Sequence, residues 1–115
     1  MSRSGVARIV ITHAASRAII QQAAFYAKCK SQALADRRET AIRKALQRLP
    51  AEAALGSRCN FRHPDLKDLR RMPVPGFPRH LIFYEDLREQ ALVRVVHIMH
   101  GARDIEAVLT APPIA

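Results

Sequence analysis

A short β-branched stretch, Arg8-Ile9-Val10-Ile11-Thr12-His13, gives way at once to two consecutive helical stripes. That switch from strand chemistry to a helical period confines the chain to helices packed beside a sheet. In the first stripe Ala15, Ala18, Ile19, Gln22, Ala23 and Tyr26 recur at three- and four-residue spacing. The spacing predicts a helix from Ala14 to about Lys30, with Ser16 as its N-cap. A break near Ser31 leads into the second stripe, where Leu34, Ala41, Ile42, Ala45, Leu46 and Leu49 form the apolar face. Arg37, Arg38, Glu39, Arg43, Lys44 and Arg48 fall outside it, and Pro50 ends the helix or follows closely on its end. Two such neighbours with narrow, alanine-rich faces pack as an antiparallel hairpin on one side of a sheet.

The rest of the chain supplies that sheet. Residues 51–67 have no clear period and contain Gly56, Asn60 and Pro64, so a loop is expected there. Asp68 to Val74 reads as a second strand, irregular or at an edge because of Pro73. Pro75-Gly76-Phe77-Pro78 makes the turn to a third strand, Arg79 to Glu85. Leu92 to Met99 is a fourth, and its apolar residues on both faces (Val93, Val95, Val96, Ile98) predict a central position. His100-Gly101-Ala102-Arg103-Asp104 then turns into a short helix ending near Leu109, and Ala111-Pro112-Pro113 closes the chain as a tail. The expected fold is α+β, a single domain over residues 1–115. It has an N-terminal strand, a helical hairpin packed on a mostly antiparallel four-stranded sheet, and a short C-terminal helix.

Composition narrows the class further. A chain of 115 residues buries roughly two-thirds of the surface its unfolded form exposes, enough for one core. With 49% hydrophobic residues it is not a disordered tail. Apolar runs such as Leu81-Ile82-Phe83-Tyr84 fall far short of the roughly 20 residues of a membrane span. Met1 to Gly5 leads into a strand, not the apolar stretch of a secretory signal, so a cytoplasmic protein is expected. Cys29 and Cys59 stand alone, without a C-x-x-C pair or a histidine at zinc spacing, and neither a metal nor any cofactor is expected. The net charge of +9, carried mostly by arginine, points to an anionic partner, because the guanidinium fork grips phosphate and carboxylate.

Three local patterns carry a resemblance. The second helix closes on Leu46-Gln47-Arg48-Leu49-Pro50, and two strands run through Leu69-Arg70-Arg71-Met72-Pro73-Val74 and Leu81-Ile82-Phe83-Tyr84. The most specific is Val95-Val96-His97-Ile98-Met99-His100-Gly101-Ala102-Arg103-Asp104, an apolar strand followed by His-Gly-Ala-Arg-Asp. With the element order, these make the chain resemble the RelE/ParE superfamily, toxins of bacterial type II toxin–antitoxin (plasmid stabilisation) systems, from about Arg8 to Leu109. It lies nearer the ParE-like branch. In physical terms Gly101 suits a strand-to-helix turn, and Asp104 suits the positive end of the helix that follows, where it could pair with Arg103.

The superfamily divides by mechanism. RelE-like members are ribosome-dependent mRNA endoribonucleases, whose chemistry needs a base, an acid for the leaving oxygen and cations facing the phosphorane. In that branch an arginine commonly precedes the third-strand tyrosine by three positions, another follows the glycine of the closing turn, and a tyrosine lies in the last helix. Here the first position is Leu81, the second is Arg103, and the third falls on Leu109, which transfers no proton. A nuclease built on this chain would draw on Arg79, His80, Tyr84 and Arg103, with His97 and His100 as further candidate bases. Tyr84 otherwise suits an aromatic at the edge of the core. His97 and His100, three apart on a strand, face opposite ways and share no metal.

ParE-like toxins bind DNA gyrase and trap its cleaved-DNA complex, which needs a surface and no catalytic residue; that reading is the expected one. Arg70, Arg71, Arg79 and Arg103 are the expected target-binding face. The resemblance also implies a ParD-like antitoxin, whose acidic arm folds over the toxin in a hetero-oligomer. Ile19, Ile20, Phe25, Leu34 and Phe83 are expected to line a groove between the hairpin and the sheet for it. A third possibility is a member without toxicity that acts only in co-repression of its operon.

Overall fold

The computed structural model describes residues 8–100 and 109–110. β1 (Arg8–Ile11) runs almost directly into α1 (His13–Cys29) because Thr12 acts in two directions. Its hydroxyl oxygen accepts from the Ala15 amide at 3.2 Å, and its hydroxyl donates to the Val96 carbonyl at 3.0 Å. One side chain thus caps the helix and ties it to the sheet. The N-cap is Thr12, one turn before the expected Ser16, because only Thr12 retains the extended backbone a cap requires.

Ser31 separates the helices and caps α2 (Gln32–Glu52), its hydroxyl oxygen accepting from the Leu34 amide at 3.0 Å. Pro50 lies inside α2 and does not end it. The proline ring removes one N–H and its bond. Leu49 and Ala53, on either side of it, are buried, and the Tyr84 hydroxyl donates to the Ala53 carbonyl at 2.6 Å. Packing and that bond hold the last turn across the proline.

Residues 51–67 are not a plain loop. They hold a 3₁₀ turn at Ala53–Leu55, a two-residue strand β2 (Ser57–Arg58) and a second 3₁₀ turn at Pro64–Leu66. β3 (Leu69–Val74), β4 (Phe77–Leu87) and β5 (Leu92–His100) follow. The β3–β4 turn is tighter than expected, made by Pro75 and Gly76 alone, with Gly76 at φ +83°, where a β-carbon would be strained.

The sheet has five strands, not four, in the order β1-β5-β4-β3-β2. β1 pairs parallel with β5, and the other pairings are antiparallel. β5 therefore has a neighbour on each side, as its apolar residues on both faces require. Tyr84 pairs with Val95 but Phe83 pairs with His97, so Val96 is an extra residue in a β-bulge. On one face Ala15, Ile42, Ala45 and Leu49 of the helices pack on Val74, Ile82, Tyr84, Val93, Val95 and Ile98. On the other, Leu69, Phe83 and Met99 are covered by Cys59 and Leu66, with Phe61 and Leu109 against them. Leu109 and Thr110 are helical, while Gly101, Arg103 and Asp104 of the closing turn lie outside the described residues. Among the described residues no helix is long and apolar enough to cross a membrane.

Candidate functional site

Between the hairpin and the sheet lies a buried polar network that joins four elements. Arg38 of α2 is only 1% exposed, and His80 of β4 only 2%. Arg38 Nε donates to His80 Nδ1 at 3.2 Å, and a terminal nitrogen donates to Gln22 Oε1 on α1. Gln22 Nε2 in turn donates to the Ile98 carbonyl of β5 at 2.9 Å. A guanidinium only donates, so His80 Nδ1 is the acceptor here, and the proton of the neutral ring sits on Nε2. Nε2 lies 2.8 Å from the Tyr26 hydroxyl, while the Arg38 guanidinium carbon sits 5.2 Å from the centre of the Tyr26 ring. Burial pulls Arg38 below the usual arginine value, and Tyr26 partly offsets it. No buried side-chain nitrogen or oxygen is left without a partner among the described residues.

The sequence held a signal for this network. Arg38 falls midway between Leu34 and Ile42 at four-residue spacing, on the same stripe that continues to Ala45 and Leu49. Its charge predicts the solvent side, but the structure buries it. His80, a candidate for nuclease chemistry, is enclosed by this network.

A second buried group closes the other end of the hairpin. Tyr84 is fully buried in the core, deeper than the core-edge position expected of it. A β-carbon on Gly56 would lie 1.9 Å from the Tyr84 hydroxyl, so this close approach requires glycine. Burial pushes Tyr84 above the ordinary phenol value, with smaller lowering contributions from the Gly56 backbone and Arg70. Arg70 donates to the Gly56 carbonyl at 2.7 Å and to the Ala54 carbonyl at 3.3 Å, so its guanidinium fastens the turn before β2.

The expected target-binding arginines are therefore differently placed. Arg71 and Arg79 are exposed, Arg70 is half-buried in that turn, and Arg103 lies outside the described residues. The apolar set also divides. Ile20 and Phe25 stand out on the solvent side of α1, 68% and 55% exposed. Ile19 and Leu34 are half-buried, Ile19 against the helix-side core. Phe83 is fully buried on the opposite face of the sheet, beneath the segment carrying Cys59 and Leu66, and does not line a helix-side groove. Alternation along β4, with its neighbour Ile82 turned to the helices, sends Phe83 the other way.

A family model described as the ParE toxin of the type II toxin–antitoxin system parDE matches residues 9–105. The chain belongs to the ParE toxin family. A solved chain from the chromosomal ParDE system of P. aeruginosa is similar in fold, with a TM-score of 0.68 at 12% identity. That likeness covers 86% of this chain and 100% of that one. A comparison with curated proteins gave no match.

In this ParE-family chain the position where RelE-like nucleases carry a late tyrosine has a packing role. Leu109 is half-buried against the cluster of Phe83, Met99, Leu69 and Leu66. Cys59 of the same cluster is pushed up by burial, with Arg71 partly opposing the shift, so its thiol stays neutral. Among the described residues no cluster of histidine, cysteine, aspartate or glutamate is placed to hold a metal ion.

Proposed function

We propose that this ParE-family toxin stops growth by binding DNA gyrase and trapping its cleaved-DNA complex, without catalysing a reaction of its own. The observation that carries the reading is the fate of three of the positions a nuclease would use. Tyr84 is fully buried with its hydroxyl donating to Ala53, His80 is enclosed beside Arg38, and Leu109 fills an apolar cluster. General acid–base catalysis needs a titrating group within reach of the substrate, which these positions do not supply. Arg71 and Arg79, exposed on neighbouring strands, suit a binding surface, and Arg103 is proposed with them from the sequence alone.

Neutralisation follows from the other surface. A ParD-like antitoxin with an acidic arm, disordered when free, would anchor on Ile20 and Phe25 with Ile19 and Leu34 beside them. Coupled folding lets such an arm cover a large surface, and the net charge of +9 draws it in. Both partners act on a cytoplasmic protein in this account.

The test is growth arrest on induction in a bacterial host. Arg71→Glu with Arg103→Glu abolishes arrest while the purified protein melts within about 1 kcal/mol of the wild type, as surface changes do. Ile20→Asp with Phe25→Asp keeps arrest but is no longer rescued by the co-expressed antitoxin. Unchanged arrest in the first variant, or full rescue of the second, contradicts the assigned surfaces.

A further inference from the structure

Exposed positive charge is only partly matched by carboxylates. At the β4–β5 end carboxylates and cations are matched: Arg88 pairs with Asp86 at 2.8 Å and Arg94 with Glu85, while on α2 Arg43 pairs with Glu39 at 3.2 Å. Other exposed cations have no carboxylate partner among the described residues: Arg37, Lys44 and Arg48 on α2, and a group at the β2–β3 edge. Arg58, Lys67 and Arg71 are exposed there, and among the described residues none of them has a carboxylate partner. Of the two carboxylates in this stretch, Asp65 lies 3.8 Å from His63 and Asp68 is exposed.

Register sharpens the imbalance. Arg58 stands directly opposite Arg70 across the β2–β3 pair, and Arg71 stands opposite Ser57. Like charges facing each other across two strands destabilise the pairing. Arg70 turns to the Ala54 and Gly56 carbonyls, which partly offsets the repulsion, whereas among the described residues Arg58 has no such partner. Because neighbouring residues alternate faces, Arg70 and Arg71 flank the edge on both sides. Among the described residues the large exposed apolar side chains lie elsewhere: Val10, Ile11, Ile20 and Phe25 belong to β1 and α1, and Leu55 alone is near β2.

We infer that the β2–β3 edge, through Arg58, Lys67 and Arg71, is a contact surface for the phosphate backbone of duplex DNA. This rests on the reading of the chain as an inhibitor acting where gyrase holds DNA, and adds that the toxin itself touches the nucleic acid. A protein partner would need an apolar interface core, which this edge lacks apart from Leu55. A phosphate backbone needs only fixed cations, preferably guanidinium, and such interfaces are polar and strongly positive. The two edges of the sheet thus suit two partners, an apolar arm at β1 and α1 and a polyanion at β2 and β3.

The experiment is fluorescence anisotropy of a labelled duplex with the purified full-length chain over a series of salt concentrations, gyrase absent. Arg58→Glu with Arg71→Glu is compared with Arg37→Glu with Lys44→Glu on α2, which changes net charge equally. Circular dichroism checks folding, and Arg58→Gln with Arg71→Gln provides a milder pair. Binding of the edge variant falls about tenfold or more, and its slope of log affinity against log salt shrinks by about 2, near 0.9 per phosphate lost. The α2 variant retains most of the affinity. Equal losses in both variants mean diffuse attraction by net charge and overturn the inference, as does binding to polyglutamate but not to duplex. Gyrase inhibition by a chain that fails to bind free duplex overturns this inference and leaves the gyrase reading intact. Edge-dependent duplex binding without any effect on gyrase does the reverse.

Discussion

At the scale of single residues, Arg38 is the clearest case of a charged side chain used as a structural fastener. It reaches His80, Gln22 and the face of Tyr26, and so ties α1, α2 and β4 together. Removing it leaves the buried His80 Nδ1 and the half-buried Gln22 Oε1 without this donor, which costs more than the net worth of the bonds themselves. Arg38→Ala is expected to lower unfolding free energy by about 3 kcal/mol in denaturant melts. Arg38→Met, which keeps an apolar stem over Tyr26, recovers part of that loss. A cost below about 0.5 kcal/mol for the alanine variant would show that the network contributes little. The position was legible from spacing alone, since Leu34, Arg38, Ile42, Ala45 and Leu49 form one row. What misled was residue type, because arginine is rarely fully buried unless its donors are met.

Among elements, the sequence foretold the regular pieces and missed the junctions. Two helices, an apolar β5 and the hairpin of β3 and β4 follow from periodicity and from Pro75-Gly76. The cap at Thr12, the passage of α2 through Pro50 and the two-residue β2 do not, because each depends on a tertiary contact. Thr12 bonds to Val96, and Ala53 accepts from Tyr84. The Tyr84 junction also makes a pH prediction. Burial raises its folded-state value above the ordinary value of about 10, so the neutral phenol stabilises the fold below that pH and the contribution is lost as pH rises through the folded value. Cys59 is raised as well and acts in the same direction from about pH 8.5. Thermal melts are expected to be flat around neutrality, to begin falling above about pH 8.5 and to fall more steeply above about pH 10. Tyr84→Phe melts lower at neutral pH by about 1 kcal/mol through the lost bond to Ala53, yet shows a smaller alkaline decline. An unchanged alkaline decline in that variant would place the titration elsewhere.

For the whole molecule, the central claim is that a fold shared within a toxin family serves here as a binding scaffold with two unlike edges. The family and the α+β architecture were readable from the element order, the helix pair and the closing segment from Val95 to Asp104, an apolar strand followed by His-Gly-Ala-Arg-Asp. The division of the surface was not, because which arginines remain exposed depends on turns such as the one Arg70 fastens. Phe83 likewise looked available in sequence, and only the covering segment of Cys59 and Leu66 removes it from any helix-side groove. The most direct measurement is a supercoiling and DNA-cleavage assay with purified gyrase and this chain, beside a ribosomal translation reaction in which mRNA ends are mapped. The account predicts dose-dependent accumulation of cleaved gyrase–DNA complex with intact mRNA. Codon-spaced mRNA cuts with normal gyrase activity would contradict it and would mean that the enclosed His80 becomes accessible on the ribosome.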